Sequence, residues 1–189
     1  MSTLKNIEVE LMFPLNDVNI LQEKLDAIAK KEKHNEYQKD TYYNPPHRNF
    51  LDENPVNEWL RIRETKKGVS INYKNFHAAV GEKVISCDEY ETSVGDAESL
   101  KKIFLSLAFK ELIVVEKSRS TWLYKKTEIA IDHVTGLYDT IELEAKGQFS
   151  SIEDAKKHLY AVLAELGARV GEQDYKGYPY LLLEKKRLL

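Results

Sequence analysis

The chain holds a single cysteine, Cys87, in 189 residues, so neither an intrachain disulfide nor a cysteine-based zinc cluster is open to it. Glycine and proline are scarce, at 8 and 5, which excludes collagen-like repeats and Pro/Gly-rich low-complexity linkers. An excess of basic charge is also missing. The 28 Lys and Arg face 31 Asp and Glu, a formal net charge of −3, whereas a general nucleic-acid binder would show a large basic surplus. No segment approaches the ~20 apolar residues of a membrane span, and Met1–Asn6 lacks the apolar run of a signal peptide. These absences predict a cytoplasmic protein of the reducing cytosol, with no nucleic-acid or membrane partner.

What is present is ordinary in bulk and unusual in pattern. With 42% hydrophobic and 31% charged residues, a chain of this length can bury roughly 70% of its unfolded surface. No linker divides it, so residues 1–189 read as a single α+β domain. Three strand-like stretches carry a Glu-x-Glu pair: Glu8-Val9-Glu10, Glu89-Tyr90-Glu91 and Glu142-Leu143-Glu144. Side chains two apart on a strand share a face, so each pair puts two carboxylates on one side. Cations recur in the same rhythm at Arg61-Ile62-Arg63 and Lys117-Ser118-Arg119.

Each acidic strand is followed by an amphipathic helix. The first is expected from about Asp17 to Lys31, with Ile20, Leu21, Leu25 and Ile28 at helical spacing. The second follows Asp96 and carries Leu100, Ile103, Phe104 and Leu107. The third follows the capping-box sequence Ser151-Ile152-Glu153-Asp154 and stops at Gly167. Further strands are expected at His34–Tyr43, Trp59–Thr65, Val69–Lys74, Glu111–Tyr124, Glu128–Val134 and Tyr138–Ala145. The tail from Tyr178 to Leu183 suits a last short strand or a helical turn. The order is mostly antiparallel, with about eight or nine strands and three helices.

Strand alternation segregates the charges. Trp59, Arg61 and Arg63 share one face, Ser70, Asn72 and Lys74 another, and Glu128, Ala130 and Asp132 a third. Helices covering the apolar faces of a curved sheet would turn the charged faces inward. The plainer alternative is solvation, with Glu and Lys pairing across strands, as is routine in antiparallel sheets. Like charges at i and i+2 repel, however, and metal ions answering the carboxylates with phosphates answering the arginines would relieve both sets. The five histidines show no metal-ligand spacing. Tyr42, Tyr43 and Phe50 read as packing residues, with stacking on a base as the alternative.

These motifs, in this order, resemble the CYTH superfamily of triphosphate tunnel metalloenzymes. Ile7-Glu8-Val9-Glu10-Leu11-Met12 is similar to the family's Glu-x-Glu-x-Lys signature. Asp40-Thr41-Tyr42-Tyr43, Leu60-Arg61-Ile62-Arg63, Asn72-Tyr73-Lys74, Glu89-Tyr90-Glu91, Lys117-Ser118-Arg119, Asp132-His133-Val134-x-Gly136-Leu137 and Ile141-Glu142-Leu143-Glu144 follow. The resemblance implies an eight-stranded antiparallel β-barrel, a triphosphate tunnel with helices packed outside, using Mg²⁺ or Mn²⁺. It implies metal ligation by Glu8, Glu10, Asp132, Glu142 and Glu144, and phosphate binding by Arg61, Arg63, Lys74, Lys117 and Arg119. Catalytic roles fall on Glu10, Lys74, Asp132 and Glu144, with Glu89 and Glu91 as additional acidic positions. A homodimer is also implied.

The stretch from Asp132 to Leu137 followed by Ile-Glu-Leu-Glu is most similar to class IV adenylate cyclases, which convert ATP to cyclic AMP and pyrophosphate. The alternatives are a triphosphatase acting on tripolyphosphate or thiamine triphosphate, and a tunnel that binds nucleotide or polyphosphate without turnover. Met12 stands where the signature has its Lys and favours the last.

Overall fold

A computed structural model describes residues 7–77 and 86–189, with side chains from Val9 to Phe76 and from Cys87 onward. Met1–Asn6 and the Glu8 side chain, both bearing on expectations above, lie outside the described residues. The strands are β1 (Ile7–Pro14), β2 (Lys30–Asn44), β3 (Glu58–Thr65), β4 (Gly68–His77), β5 (Ser86–Val94), β6 (Lys110–Tyr124), β7 (Thr127–Val134) and β8 (Asp139–Ala145). They form a closed antiparallel barrel in the order β1-β5-β4-β3-β2-β6-β7-β8. The helices are α1 (Val18–Ile28), α2 (Ala97–Ser106), α3 (Ile152–Leu166) and α4 (Gly177–Lys185).

The period-2 pattern decides which side of each strand is wet. Val9, Leu11, Ile129, Ile131, Ile141 and Leu143 face outward into the core under α1 and α3. On the opposite wall Ile62 and Tyr43 pack against Phe104 of α2. Because the helices take the apolar faces, the charged faces are left for the interior. At α3 the N-cap Ser151 Oγ accepts from the Asp154 N–H at 3.1 Å, while the Asp154 carboxylate accepts from the Ser150 N–H, one residue before the cap. Gly167 closes the same helix in the left-handed conformation, at φ 60°.

Strands β2 and β6 are the two longest and pair along their length, with register shifts around Lys33 and Glu36. Asn35 sits there at φ 45°. Its N–H donates to Ser120 Oγ at 2.9 Å, while Ser120 donates back to Asn35 Oδ1 at 3.1 Å. Such irregularities sharpen the twist that lets a sheet curl closed.

Three expectations change in detail. Helix α1 stops at Ile28, since Lys30 already begins β2. The apolar positions Ile20, Ile103 and Leu107 lie more than half exposed, because the core-facing stripes of their helices run through Leu21 and Leu25 and through Phe104, with Val18 and Leu100 packed beside them. The tail is a full helix, α4, and it packs across one end of the barrel rather than on its outside. Tyr178, Leu182 and Leu183 there join the inward-facing Met12, Ile113, Val115 and Val134. Lys185 of α4 donates to the Gly136 carbonyl at 2.6 Å, in the turn that carries β7 into β8.

Burial of the outward face sets the stability. Leu143, fully buried, changed to Ala should lose about 2–5 kcal/mol. Leu105, 76% exposed, changed to Ala should stay within about 0.5 kcal/mol of wild type. Urea unfolding followed by circular dichroism checks both, and equal losses would contradict this assignment of faces.

Candidate active site

A cavity of about 280 Å³ runs through the barrel interior. Alternation along β3 brings Trp59, Arg61 and Arg63 to its wall, and β6 contributes Lys117 and Arg119. From β1 and β8 come Glu10, Glu142 and Glu144, and from β4 and β5 come Lys74, Glu89 and Glu91. Ten of the residues expected from sequence therefore meet in one chamber. Asp132 does not line it, and Glu8 lies outside the described side chains.

The cations are held by two buried aspartates in the same geometry. Asp40 on β2 is in register with Arg63 on β3. Arg63 Nε and Nη2 donate to Asp40 Oδ1 and Oδ2, each at 2.7 Å. Arg61 Nη1 reaches Oδ2 at 3.3 Å. Asp132 on β7 is in register with Arg119 on β6. Arg119 Nε and Nη2 donate to Asp132 Oδ1 and Oδ2 at 2.7 and 2.6 Å, and Lys117 Nζ adds a bond to Oδ2 at 2.9 Å. Burial pushes both carboxyls up, but the charges of Arg61 and Arg63, and of Arg119 and Lys117, override it and hold each well below the usual range. Each i, i+2 cation pair thus shares one buried aspartate across the strand, and Arg119 Nη2 also donates to Glu142 at 2.9 Å while Arg61 lies 3.9 Å from Glu89.

Lys117 is the strained member of the set. Burial and the neighbouring Arg119 push its ammonium down to about 8, against the pull of Asp132 and Glu142. The Tyr178 ring lies under it, with Nζ 4.8 Å from the centroid. Tyr178 donates its hydroxyl proton to Asp132 Oδ2 at 2.8 Å, so Thr140, 2.6 Å away, must donate to Tyr178. Helix α4 is in this way tied to the polar site.

The facing wall is carboxylate-rich. Glu144 on β8 stands in register with Glu10 on β1 and with Glu128 on β7. Burial raises the Glu144 carboxyl and nearby Glu142 and Glu128 raise it further, while Lys146 at 2.5 Å opposes them. Like charges on adjacent strands repel, and a hard divalent cation bound by carboxylate oxygens would relieve them. The donor set is all oxygen and suits Mg²⁺ or Mn²⁺. Among the described residues no three such groups already converge to coordination distance. Lys74 bridges the walls, with Nζ 3.5 Å from Glu10 and 3.7 Å from Glu89. Asn72 also donates to Glu89, and Ser70 donates to Glu91 at 2.7 Å.

One part of the chamber is apolar. Met12, where a lysine was expected, packs with Tyr42 and Trp59, and Val56 and Phe76 complete that side of the cavity. Tyr42 also lies within 3.4 Å of Arg61. Tyr43 meets Phe104 edge-on, and Phe50 meets Tyr73, so both pack outside the chamber. Two polar atoms near the cations have no hydrogen-bond partner among the described residues, Arg61 Nε and Gln38 Oε1.

Asp40, Glu128 and Tyr178 are the members that sequence reading left without a role. Asp40 and Glu128 gain meaning only from cross-strand register, which one sequence does not give. Tyr178 sits in a tail whose helical state was open.

The CYTH domain family matches residues 6–178 of this chain. A protein of Methanocaldococcus jannaschii named "Putative adenylate cyclase MJ0240" is 30% identical over 162 residues, 86% of this chain and 89% of its own length. The PH1819 protein of Pyrococcus horikoshii superposes with a TM-score of 0.79 at 30% identity, covering 94% of this chain and 99% of its own. PH1012 of the same organism gives 0.73 at 25% identity, covering 91% and 97%. With its motifs, its closed barrel and its two-walled chamber in agreement with this match, the chain belongs to the CYTH domain family.

Proposed function

We propose that this protein is a divalent-metal-dependent enzyme that acts on a triphosphate in the barrel, in the manner of an adenylate cyclase, taking ATP to cyclic AMP and pyrophosphate. The observation that carries the reading is one chamber with clamped cations on one wall and a carboxylate row on the other. Arg61, Arg63, Lys117 and Arg119 take the phosphate oxygens, Arg through forked contacts and Lys as a point charge. Glu10, Glu142 and Glu144, with Glu8 of the same strand, are the residues to hold metal. Asp132 acts behind them by fixing Lys117 and Arg119.

Metal is needed on charge grounds. A nucleoside triphosphate brings about four negative charges, yet Arg63, Arg119 and Lys117 already share Asp40, Asp132 and Glu142. Bound divalent ions would supply the missing positive charge and stabilise the attacking and leaving oxygens. Lys74, between Glu10 and Glu89, donates where the phosphate chain passes from one wall to the other. The apolar side formed by Met12, Val56, Trp59 and Phe76 suits an organic head group, which supports a nucleotide over bare tripolyphosphate. The ribose 3′-hydroxyl then attacks the α-phosphorus and pyrophosphate leaves. The second reading is hydrolysis at the terminal phosphorus, favoured by Lys33, Glu128 and Lys146 at the polar part of the cavity, where water can reach that group. Chromatography and phosphorus NMR of products from ATP, tripolyphosphate and thiamine triphosphate, each with Mg²⁺ or Mn²⁺, separate the two.

Glu10→Ala or Glu144→Ala should abolish turnover while leaving the circular dichroism spectrum and melting curve close to wild type. Activity that persists in excess EDTA, or in both variants, would remove the metal assignment.

Arg63→Ala or Arg119→Ala should weaken binding of a non-hydrolysable triphosphate by about 1.5–3 kcal/mol per lost charged hydrogen bond. Met12→Lys should bind equally or more tightly. Titration calorimetry reads all three, and equal affinities for wild type and both Arg variants would assign these cations to the barrel alone.

Triphosphate affinity should also fall as pH rises through the Lys117 value of about 8, because the anion binds the protonated ammonium. Lys117→Arg should flatten that fall in a kcat/KM profile, which reports the free enzyme. A wild-type profile with no decline on the alkaline side would contradict it.

A further inference from the structure

Asp40 has no role in the function proposed above, yet it is 1% exposed and sits at the centre of the cation wall. We infer that Asp40 is a positioning residue that presents Arg61 and Arg63 to the phosphate chain in one fixed orientation, the counterpart on β2 of what Asp132 does on β7. This inference rests on the triphosphate reading.

The argument starts from the two edges of a guanidinium group. Its Nε–Nη2 side and its Nη1–Nη2 end can each grip two oxygens. Asp40 takes the side edge of Arg63, with both bonds at 2.7 Å. The end edge is left facing the chamber that Arg63 lines. Asp132 takes the same edge of Arg119, whose Nη2 in addition donates to Glu142 at 2.9 Å. The parallel extends to the second cation, since Arg61 and Lys117 each lie two residues before the forked arginine and each bond the Oδ2 atom of its aspartate. Two strand pairs on different parts of the barrel thus hold the same basic-x-Arg pattern in one local geometry. Arg61 differs in that its Nε is buried without a hydrogen-bond partner among the described residues, so Asp40 holds it through Nη1 alone.

A mere counter-ion and a positioning residue predict opposite signs. If Asp40 only neutralises charge, Asp40→Asn makes the wall more cationic, and an anion should bind more tightly. If it positions, the amide breaks the fork, because its NH₂ group faces a guanidinium donor. The arginines then turn away and the anion binds more weakly. Positioning also predicts that Arg63→Ala adds little once Asp40 is changed, whereas independent contributions would add.

The test is titration calorimetry with the bis-methylene analogues of tripolyphosphate and ATP in Mg²⁺, on wild type, Asp40→Asn, Arg63→Ala and the double variant. Asp40→Asn is expected to weaken binding about tenfold or more, and the double variant to match Asp40→Asn. Equal or tighter binding by Asp40→Asn, with wild type binding normally, overturns this inference and leaves the triphosphate reading standing. No binding by wild type removes the triphosphate reading, and this inference with it. If Asp40→Asn does not fold, the wild-type Arg63 Nε–H resonance decides. It should be resolved without ligand and hold its position as the analogue saturates, and a large shift would mean that the phosphate displaces Asp40.

Discussion

Charge buried inside a closed barrel must be answered within that barrel, and this constraint organises the rest of the molecule. An isolated ion in such a place costs several kcal/mol even after relaxation, and water cannot relieve it where Asp132 is wholly buried and Asp40 nearly so. The two aspartates answer it with forked, charge-assisted bonds. Their bonds need register: Asp40 opposite Arg63 and Asp132 opposite Arg119. A slip of one residue in either strand pair would turn the cations into the helix layer and bring outward residues such as Leu60 and Ile62, or Ile129 and Ile131, into the chamber. The polar site and the strand pairing therefore specify each other.

The apolar part of the chamber follows a different logic. Helix α4 packs against Met12, Ile113, Val115 and Val134, so the barrel is filled by side chains at that end and polar beyond it. Met12 belongs to this filling. A lysine there would have to direct its ammonium past Tyr42 and Trp59 toward the phosphates, whereas methionine fills the irregular space without such a demand. Tyr178 links the two regions, packing with Leu182 and Leu183 on one side and reaching Asp132 with its hydroxyl on the other.

Much of this was legible from sequence because period-2 alternation needs no knowledge of the partner strand. Glu10, Arg61, Arg63, Lys117, Arg119, Glu142 and Glu144 could each be assigned to a polar face alone, and the apolar alternates Leu11, Ile62 and Leu143 marked the helix side. Pairing is what one sequence withholds. Asp40 stands in a family-like motif and Glu128 on one charged face with Asp132, but sequence assigns neither a role, since the meaning of each depends on a residue more than ten positions away in chain order. The i, i+2 pattern shows repulsion between like charges, and it leaves open whether ligands or cross-strand pairing relieve it. In the structure the cations find much of that relief in Asp40 and Asp132. The helical tail was ambiguous for a local reason: Tyr178-Pro179-Tyr180-Leu181-Leu182-Leu183 is apolar nearly throughout, and such a run carries no period by which to tell helix from strand.

The side-on fork at Arg63 also bears on how freely this barrel could drift in sequence. An ammonium is a point charge without two edges, so lysine at position 63 would have to choose between Asp40 and the ligand. Lys117, by contrast, offers a single bond to Asp132, and the longer, planar arginine could make it too. Interchange of the two basic residue types is thus tolerable at one kind of position in the wall and not at the other. What separates them is whether a carboxylate already occupies the side of the group that faces away from the chamber.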